Sequence, residues 1–151
     1  MKESIVMKYL SLTVLFVLIC SGCRQDIPAE EKAVEKVRRD FYTAISQYDY
    51  KYLRSQCTDD CMLVEQGSFW SLDSLINTLW SNEGKVSATY TFDDVKTVID
   101  GSTAWMTYKN HCKLKLNNQE SNIDFSESAI FKKEKKEWKL ALLHSTRIGP
   151  M

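Results

Sequence analysis

The spacing of apolar residues changes at Gly84, and this change constrains the fold more than any other feature. Before Gly84, apolar side chains recur at helical spacing in residues 29–49 and 72–81. Between these two segments, residues 50–57 read as a short helix and residues 61–66 alternate like a strand. After Gly84, apolar and polar residues alternate through several long segments. Helices that come first and strands that come later predict an α+β fold.

The N-terminal residues resemble an export signal, and we do not expect them to be part of the folded domain. Lys2 and Lys8 precede an apolar run at residues 9–19, and this run is too short to span a bilayer comfortably as a helix. The run ends in Cys-Ser-Gly-Cys, which is similar to the cleavage site of bacterial lipoproteins. We therefore predict a lipoprotein signal peptide over residues 1–22 and a lipid on Cys23. A plain secretory signal is the alternative interpretation.

The remaining chain reads as a polar tether followed by one domain. Residues 23–28 form the lipidated cysteine and tether, and residues 29–151 form the domain. Twenty basic and twenty acidic side chains balance each other, so no basic surface predicts a nucleic-acid partner. No motif predicts a cofactor. The lipid is expected to hold the domain to a membrane of the bacterial cell envelope, on the periplasmic or surface side.

Three stretches of the sequence are informative when taken together. They are residues 41–67, residues 68–80 with the sequence SFWSLDSLINTLW, and residues 135–148 with the sequence KKEWKLALLHSTRI. In their order and spacing they are similar to the nuclear transport factor 2-like superfamily, which includes SnoaL-like and ketosteroid isomerase-like proteins. The resemblance implies a curved antiparallel sheet, shaped like a cone and wrapped around the N-terminal helices, with a pocket at its open end. This fold serves enzymes, binding proteins and assembly modules, so it does not by itself give a function.

The resemblance also implies a candidate acid–base pair. Glu65 falls where the isomerase-like enzymes keep a proton-shuttling carboxylate, and Asp124 falls where they keep a carboxylic acid that donates to an oxyanion. Phe41 occupies the position of the catalytic tyrosine, and phenylalanine cannot donate a hydrogen bond. Tyr42 or Tyr108 could substitute for it. An isomerase- or cyclase-like enzyme is therefore expected only if Glu65 and Asp124 converge in one cavity with a tyrosine hydroxyl.

The favoured interpretation is a lipid-anchored, non-catalytic domain that binds a small, largely apolar molecule. The expected lining residues of its pocket are Phe41, Trp70, Tyr108 and His144. Trp70 could instead pack in the core or at the rim. His144 is in step with Trp138, Leu140 and Leu142 along the last strand, so it could instead form a hydrogen bond inside the core. One alternative is the enzyme described above. Another is an interaction module that forms a homodimer through an apolar outer face of the sheet.

Three cysteines of the domain leave several interpretations open. Cys57 and Cys61 have no second pair of metal ligands, and the two histidines lie far away in sequence, so we predict no metal site. A disulfide between Cys57 and Cys61, or from either one to Cys112, suits an oxidising compartment. The odd number leaves at least one thiol without a partner inside the domain. Buried free thiols that pack as small apolar groups are the third interpretation.

Overall fold

The computed structural model describes residues 26–117 and 119–149, so the predicted signal peptide and Cys23 lie outside the described residues. No helix within these ranges is both long and apolar enough to cross a membrane. Within these two ranges the chain forms three helices and six strands. The helices are α1 (Ile27–Gln47), α2 (Tyr50–Ser55) and α3 (Leu72–Asn82), and the strands are β1 (Cys57–Glu65), β2 (Ser68–Ser71), β3 (Val86–Asp100), β4 (Thr103–Leu116), β5 (Gln119–Glu134) and β6 (Glu137–Ile148).

The six strands form a single sheet in the order β2-β1-β6-β5-β4-β3. All neighbouring strands are antiparallel except β1 and β6, which run parallel. Helix α1 packs on the face of the sheet that carries the buried side chains, which we call the inner face. The opposite face is the outer face. The predicted α+β fold, a curved sheet around the N-terminal helices, is confirmed.

Both ends of helix α1 are fixed by interactions between residues that are close in sequence. The Asp26 side chain accepts a hydrogen bond from the backbone N–H of Ala29, and Pro28 lies in the first turn, where it costs no helical hydrogen bond. Tyr48 ends the helix in the left-handed conformation. The buried face of the helix fixes its position on the sheet, and its apolar members recur every three or four residues: Val34, Val37, Phe41, Ala44 and Ile45.

A β-bulge in β6 changes which side chains face inward. Ile130 of β5 pairs with Leu142, but the next residue, Phe131, pairs with Leu140, so Ala141 is an extra residue. After the bulge the alternation of inward and outward side chains is reversed, so Leu143 is buried. The sequence had placed His144 in step with the buried residues before the bulge. That placement is wrong, because His144 lies exposed on the outer face.

Candidate functional site

The inner face of the sheet, α1 and α3 enclose a cavity of about 230 Å³. Its wall is mainly apolar, and a few polar side chains interrupt it. The apolar residues include Phe41, Ile45, Leu63, Leu75, Leu79, Phe125 and Leu143, and the polar ones are Tyr42, Glu65, Tyr90, Asn110, Glu127 and Ser145. Such a cavity, with a small number of polar groups in an apolar wall, is typical of small-molecule sites.

Glu127 is the buried centre of the polar part of this cavity. Its carboxylate accepts three hydrogen bonds from three different elements. The hydroxyl of Tyr42 on α1 donates to Oε2 at 2.5 Å, the Asn110 amide on β4 donates to Oε1 at 3.1 Å, and the Ser145 hydroxyl on β6 donates to Oε1 at 2.9 Å. A buried carboxylate is costly without hydrogen-bond partners, and these three donors hold the Glu127 carboxylate in place in the wall.

Glu65 supplies a second carboxyl group to the same cavity. It lies at the end of β1, where its backbone pairs with Ser145 of β6, a donor to Glu127. Burial disfavours the charged form of Glu65, and the nearby negative charge of Glu127 adds to this effect. Together they raise the pKa of Glu65 to about 7. The Glu65 carboxyl can therefore both take up and release a proton near neutral pH.

Asp124, the predicted partner of Glu65, lies on the other side of the sheet. Its carboxylate is within 2.7 Å of Nδ1 of His111, and Asp93 is 3.1 Å from Nε2 of the same ring. These two carboxylates raise the pKa of His111 above its ordinary value. Glu65 and Asp124 therefore do not lie in one cavity. Side chains along β5 alternate between the two faces of the sheet, and Asp124 is at a position that faces outward. Glu127, three residues later, has the inward parity.

The sequence contains a signal for Glu127 that the family resemblance obscured. Along β5, the inward positions after Ile123 are Phe125, Glu127, Ala129 and Phe131. Glu127 is the single acidic residue in this apolar series. A lone acid at an inward strand position must find hydrogen-bond donors, and this requirement marks it as a candidate site residue.

Only one of the four expected lining residues lines the cavity. Phe41 does so, and its ring meets the Tyr42 ring edge-on. Tyr108 is buried but is not among the residues that line the cavity; its ring packs edge-on against that of Phe92, and the Arg38 guanidinium lies over both rings. The other two expected residues lie elsewhere, since Trp70 lines a separate groove beside β1 and His144 is on the outer face.

Cys57, Cys61 and Cys112 are buried free thiols. Within residues 26–117 and 119–149, no three side chains of the histidine, cysteine, aspartate and glutamate types are grouped so that they could hold a metal ion.

The chain is a small domain in which a curved sheet wraps around α1, and a cavity that contains carboxyl groups lies between them. Comparisons with known proteins identify the family of this domain. Residues 34–147 match the SnoaL-like domain family, and the chain belongs to this family. No curated protein matches the chain.

Solved structures with the same fold have different roles in their names. An NTF2-like protein from Cytophaga hutchinsonii is 18% identical, with a TM-score of 0.69 over 78% of this chain and 98% of that one. A ketosteroid isomerase-like protein from Erwinia carotovora atroseptica is 17% identical, with a TM-score of 0.64 over 79% and 96%. The CaMKII hub of S. rosetta is 18% identical, with a TM-score of 0.67 over 78% and 95%. At these identities the similarity establishes the fold alone.

Proposed function

We propose that the domain binds a small, largely apolar molecule in the cavity and that Glu65 exchanges a proton with it. The observation that carries this proposal is the carboxyl of Glu65, whose pKa of about 7 places it between its two protonation states at neutral pH. General acid–base catalysis is most efficient when the pKa of the catalytic group lies near the working pH. The apolar wall that raises the pKa is also the surface that would hold the ligand.

The polar groups around Glu127 favour a ligand that carries a hydrogen-bond donor. The amide nitrogen of Asn110 donates to Glu127, but its Oδ1 atom is buried without a partner among the described residues. A buried acceptor without a partner costs free energy, and a ligand hydroxyl that donated to it would recover this cost. The hydroxyl of Tyr42 already donates to Glu127, so it holds that carboxylate in place.

Cavity size and chemistry together indicate the substrate class. A volume of about 230 Å³ is below the roughly 300–1,000 Å³ of sites for drug-sized ligands, so a molecule with one ring or a short chain fits. A carboxylate base in an apolar site suits removal of a proton from carbon next to a carbonyl group. The proposed substrates are therefore small hydroxy-carbonyl compounds, on which Glu65 removes a proton and returns it in an isomerisation, or removes it before loss of the hydroxyl group.

Proton exchange in deuterated water tests this proposal directly. A set of small hydroxy-ketones is incubated with the full chain, and loss of the proton signal next to the carbonyl is followed by NMR. Glu65→Gln should slow the exchange by about 10²-fold or more, which is the usual contribution of a general base. Asp124→Asn is the matched control, because it makes the same change on the outer face and should leave the rate unchanged.

Two results would count against the proposal. Equal exchange rates for the wild type and Glu65→Gln would remove Glu65 from the chemistry. Binding without exchange, seen as ligand-induced shifts at Asn110 and Glu127, would return the domain to the class of non-catalytic binding proteins.

A second function, self-association, is favoured by a row of apolar side chains on the outer face. Five residues on five adjacent strands pair in register across the sheet: Val98, Trp105, Ile130, Leu142 and Met62. Four of them are among the exposed large apolar residues, and Trp105 is 45% exposed. Such a contiguous row is typical of an interaction surface. We propose that a second copy of the chain covers it, since the equal numbers of basic and acidic side chains give two copies little reason to repel.

Sedimentation velocity tests the homodimer. Trp105→Glu places a charge in the middle of the row and should convert dimers to monomers at a given protein concentration. Thr89→Glu is the control, because it adds the same charge on the outer face of β3 outside the row. A monomeric wild type, or a dimer that survives Trp105→Glu, would contradict this proposal.

We also propose that the chain is a lipoprotein of the bacterial cell envelope, anchored through Cys23. The support is the apolar run that ends in Cys-Ser-Gly-Cys. Helix α1 begins at Ile27, only a short distance after this cysteine. Cys23→Ser should move the protein from the carbonate-washed membrane fraction to the soluble fraction, whereas Cys20→Ser should not. Membrane retention of Cys23→Ser would show that the anchor is not a lipid on Cys23.

A further inference from the structure

The start of β1 contains a local irregularity that brings two cysteines together. Cys57 pairs with Leu140 of β6, and Met62 pairs with Leu142, so five steps along β1 cover only two steps along β6. The surplus residues between the two pairs form a bulge. Cys61 immediately precedes Met62, so the two cysteines occupy neighbouring positions along β6 although they are four residues apart in sequence.

Both cysteine side chains lie on the buried side of this bulge. Cys57 is 2% exposed and Cys61 is 5% exposed, whereas Asp59 and Asp60 between them are exposed. The two thiols influence each other's ionisation: their interaction lowers the pKa of Cys61 and raises that of Cys57. Cys112, the third buried thiol, lies on β4 and is not part of this pair.

A groove of about 430 Å³ runs along the bulge and gives one of the thiols a route to small molecules. Cys61 is among its lining residues, together with Asp60 and Trp70, but Cys57 is not. The two cysteines therefore differ in both access and acidity. The more acidic thiol is the one beside the groove, as expected for the first nucleophile in thiol–disulfide exchange.

We propose that Cys57 and Cys61 form a reversible disulfide that closes the bulge, and that small disulfides entering the groove are the oxidants. The Cys61 thiolate attacks one sulfur of the small disulfide, which forms a mixed disulfide and releases one thiolate. Cys57, after losing its proton, attacks the Cys61 sulfur and releases the second thiolate. The cysteine pair loses two electrons and two protons, and the small disulfide becomes two thiols.

Peptide mass spectrometry of the full chain tests this site. The chain is equilibrated in buffers with increasing ratios of oxidised to reduced glutathione, alkylated in denaturant and digested with trypsin. Cleavage after Arg54 and Lys85 gives a peptide of residues 55–85 that contains Cys57 and Cys61 and no other cysteine. Oxidation should give this peptide without alkyl groups and about 2 Da lighter than its reduced form, because two hydrogens are lost. The peptide of residues 110–113, which contains Cys112, is the internal control and should stay alkylated.

Single variants test the order of attack. Cys57→Ser should accumulate a mixed disulfide with glutathione on Cys61, and Cys61→Ser should accumulate less on Cys57. Three outcomes would overturn the proposal. They are two alkyl groups on residues 55–85 even in fully oxidised glutathione, a cross-link between this peptide and residues 110–113, and a disulfide between two chains. If a variant fails to fold, the wild-type peptide still decides the result.

Discussion

Glu65→Gln should change the pH dependence of stability in a specific direction. The pKa of Glu65 is raised from 4.5 to about 7 in the folded protein. The folded state therefore binds a proton at Glu65 more tightly than the unfolded state does. The stability that this proton gives is fully present below about pH 4.5 and is lost as the pH rises to about 7 and beyond. Glutamine does not titrate, so Glu65→Gln should not lose this contribution to stability as the pH rises.

The size of the effect follows from the difference between the two pKa values. Each pH unit corresponds to about 1.4 kcal/mol, so a fully buried carboxyl with this shift would change the free energy of unfolding by about 3 kcal/mol. Glu65 is only partly buried, and solvent screens its interactions, so we expect about 1–2 kcal/mol. At pH 8 the wild type should therefore be less stable relative to Glu65→Gln than it is at pH 4.5, by this amount.

Urea denaturation of both proteins between pH 4.5 and pH 8 measures this difference, and carbon NMR of the Glu65 carboxyl gives its midpoint independently. Glu127→Gln should lower that midpoint by a minor part of the shift, because burial is the larger cause and the charge of Glu127 the smaller one. A stability difference that is constant with pH, or an NMR midpoint near 4.5, would refute the reasoning about the cavity.

The remaining predictions concern the network, the core and the outer face. Tyr42→Phe removes a donor to Glu127 and should lower the free energy of unfolding by about 1–3 kcal/mol, measured in urea. Phe131→Ala empties a fully buried position and should cost about 3–5 kcal/mol in the same assay. The raised pKa of His111 means that its contribution to stability is present below about pH 6.5 and is lost as the pH rises through the folded value. His111→Gln should remove this decrease in the free energy of unfolding, measured in urea at a series of pH values. The same pH dependence in the variant and the wild type would contradict the prediction.

Interactions between residues close in sequence were predictable. The Asp49 side chain caps α2 by accepting from the N–H of Tyr52, and Ser71 caps α3 by accepting from the N–H of Ser74. In both cases donor and acceptor lie three residues apart, so the sequence contains the whole interaction. Strand β2 was missed because it has only four residues, which is too few for a periodic pattern to be recognised.

Features that depend on distant residues were not predictable in the same way. The alternation along β6 predicted an inward His144, but the extra residue Ala141 reverses the parity, and no local signal marks it. At the candidate site, the family resemblance points to Glu65, which lies in the cavity, but it also points to Asp124 where the structure has Glu127. Asp124 and Glu127 differ in parity, and parity relative to the core depends on pairing with the neighbouring strands. The donors that hold Glu127 come from α1, β4 and β6, which meet only in the folded chain.

The parallel pairing of β1 with β6 has a consequence for how the protein matures. During synthesis, the strand that carries Glu65 leaves the ribosome early, but its neighbour in the sheet is the last strand of the domain to appear. Until β6 is made, no strand pairs β1 and β2 with β3, β4 and β5. Folding must therefore join segments that are distant in sequence, which is slow because of the entropy of loop closure. A chain that lacks β6 should leave one edge of β1 unpaired, and the complete cavity exists only after this last strand has joined the sheet.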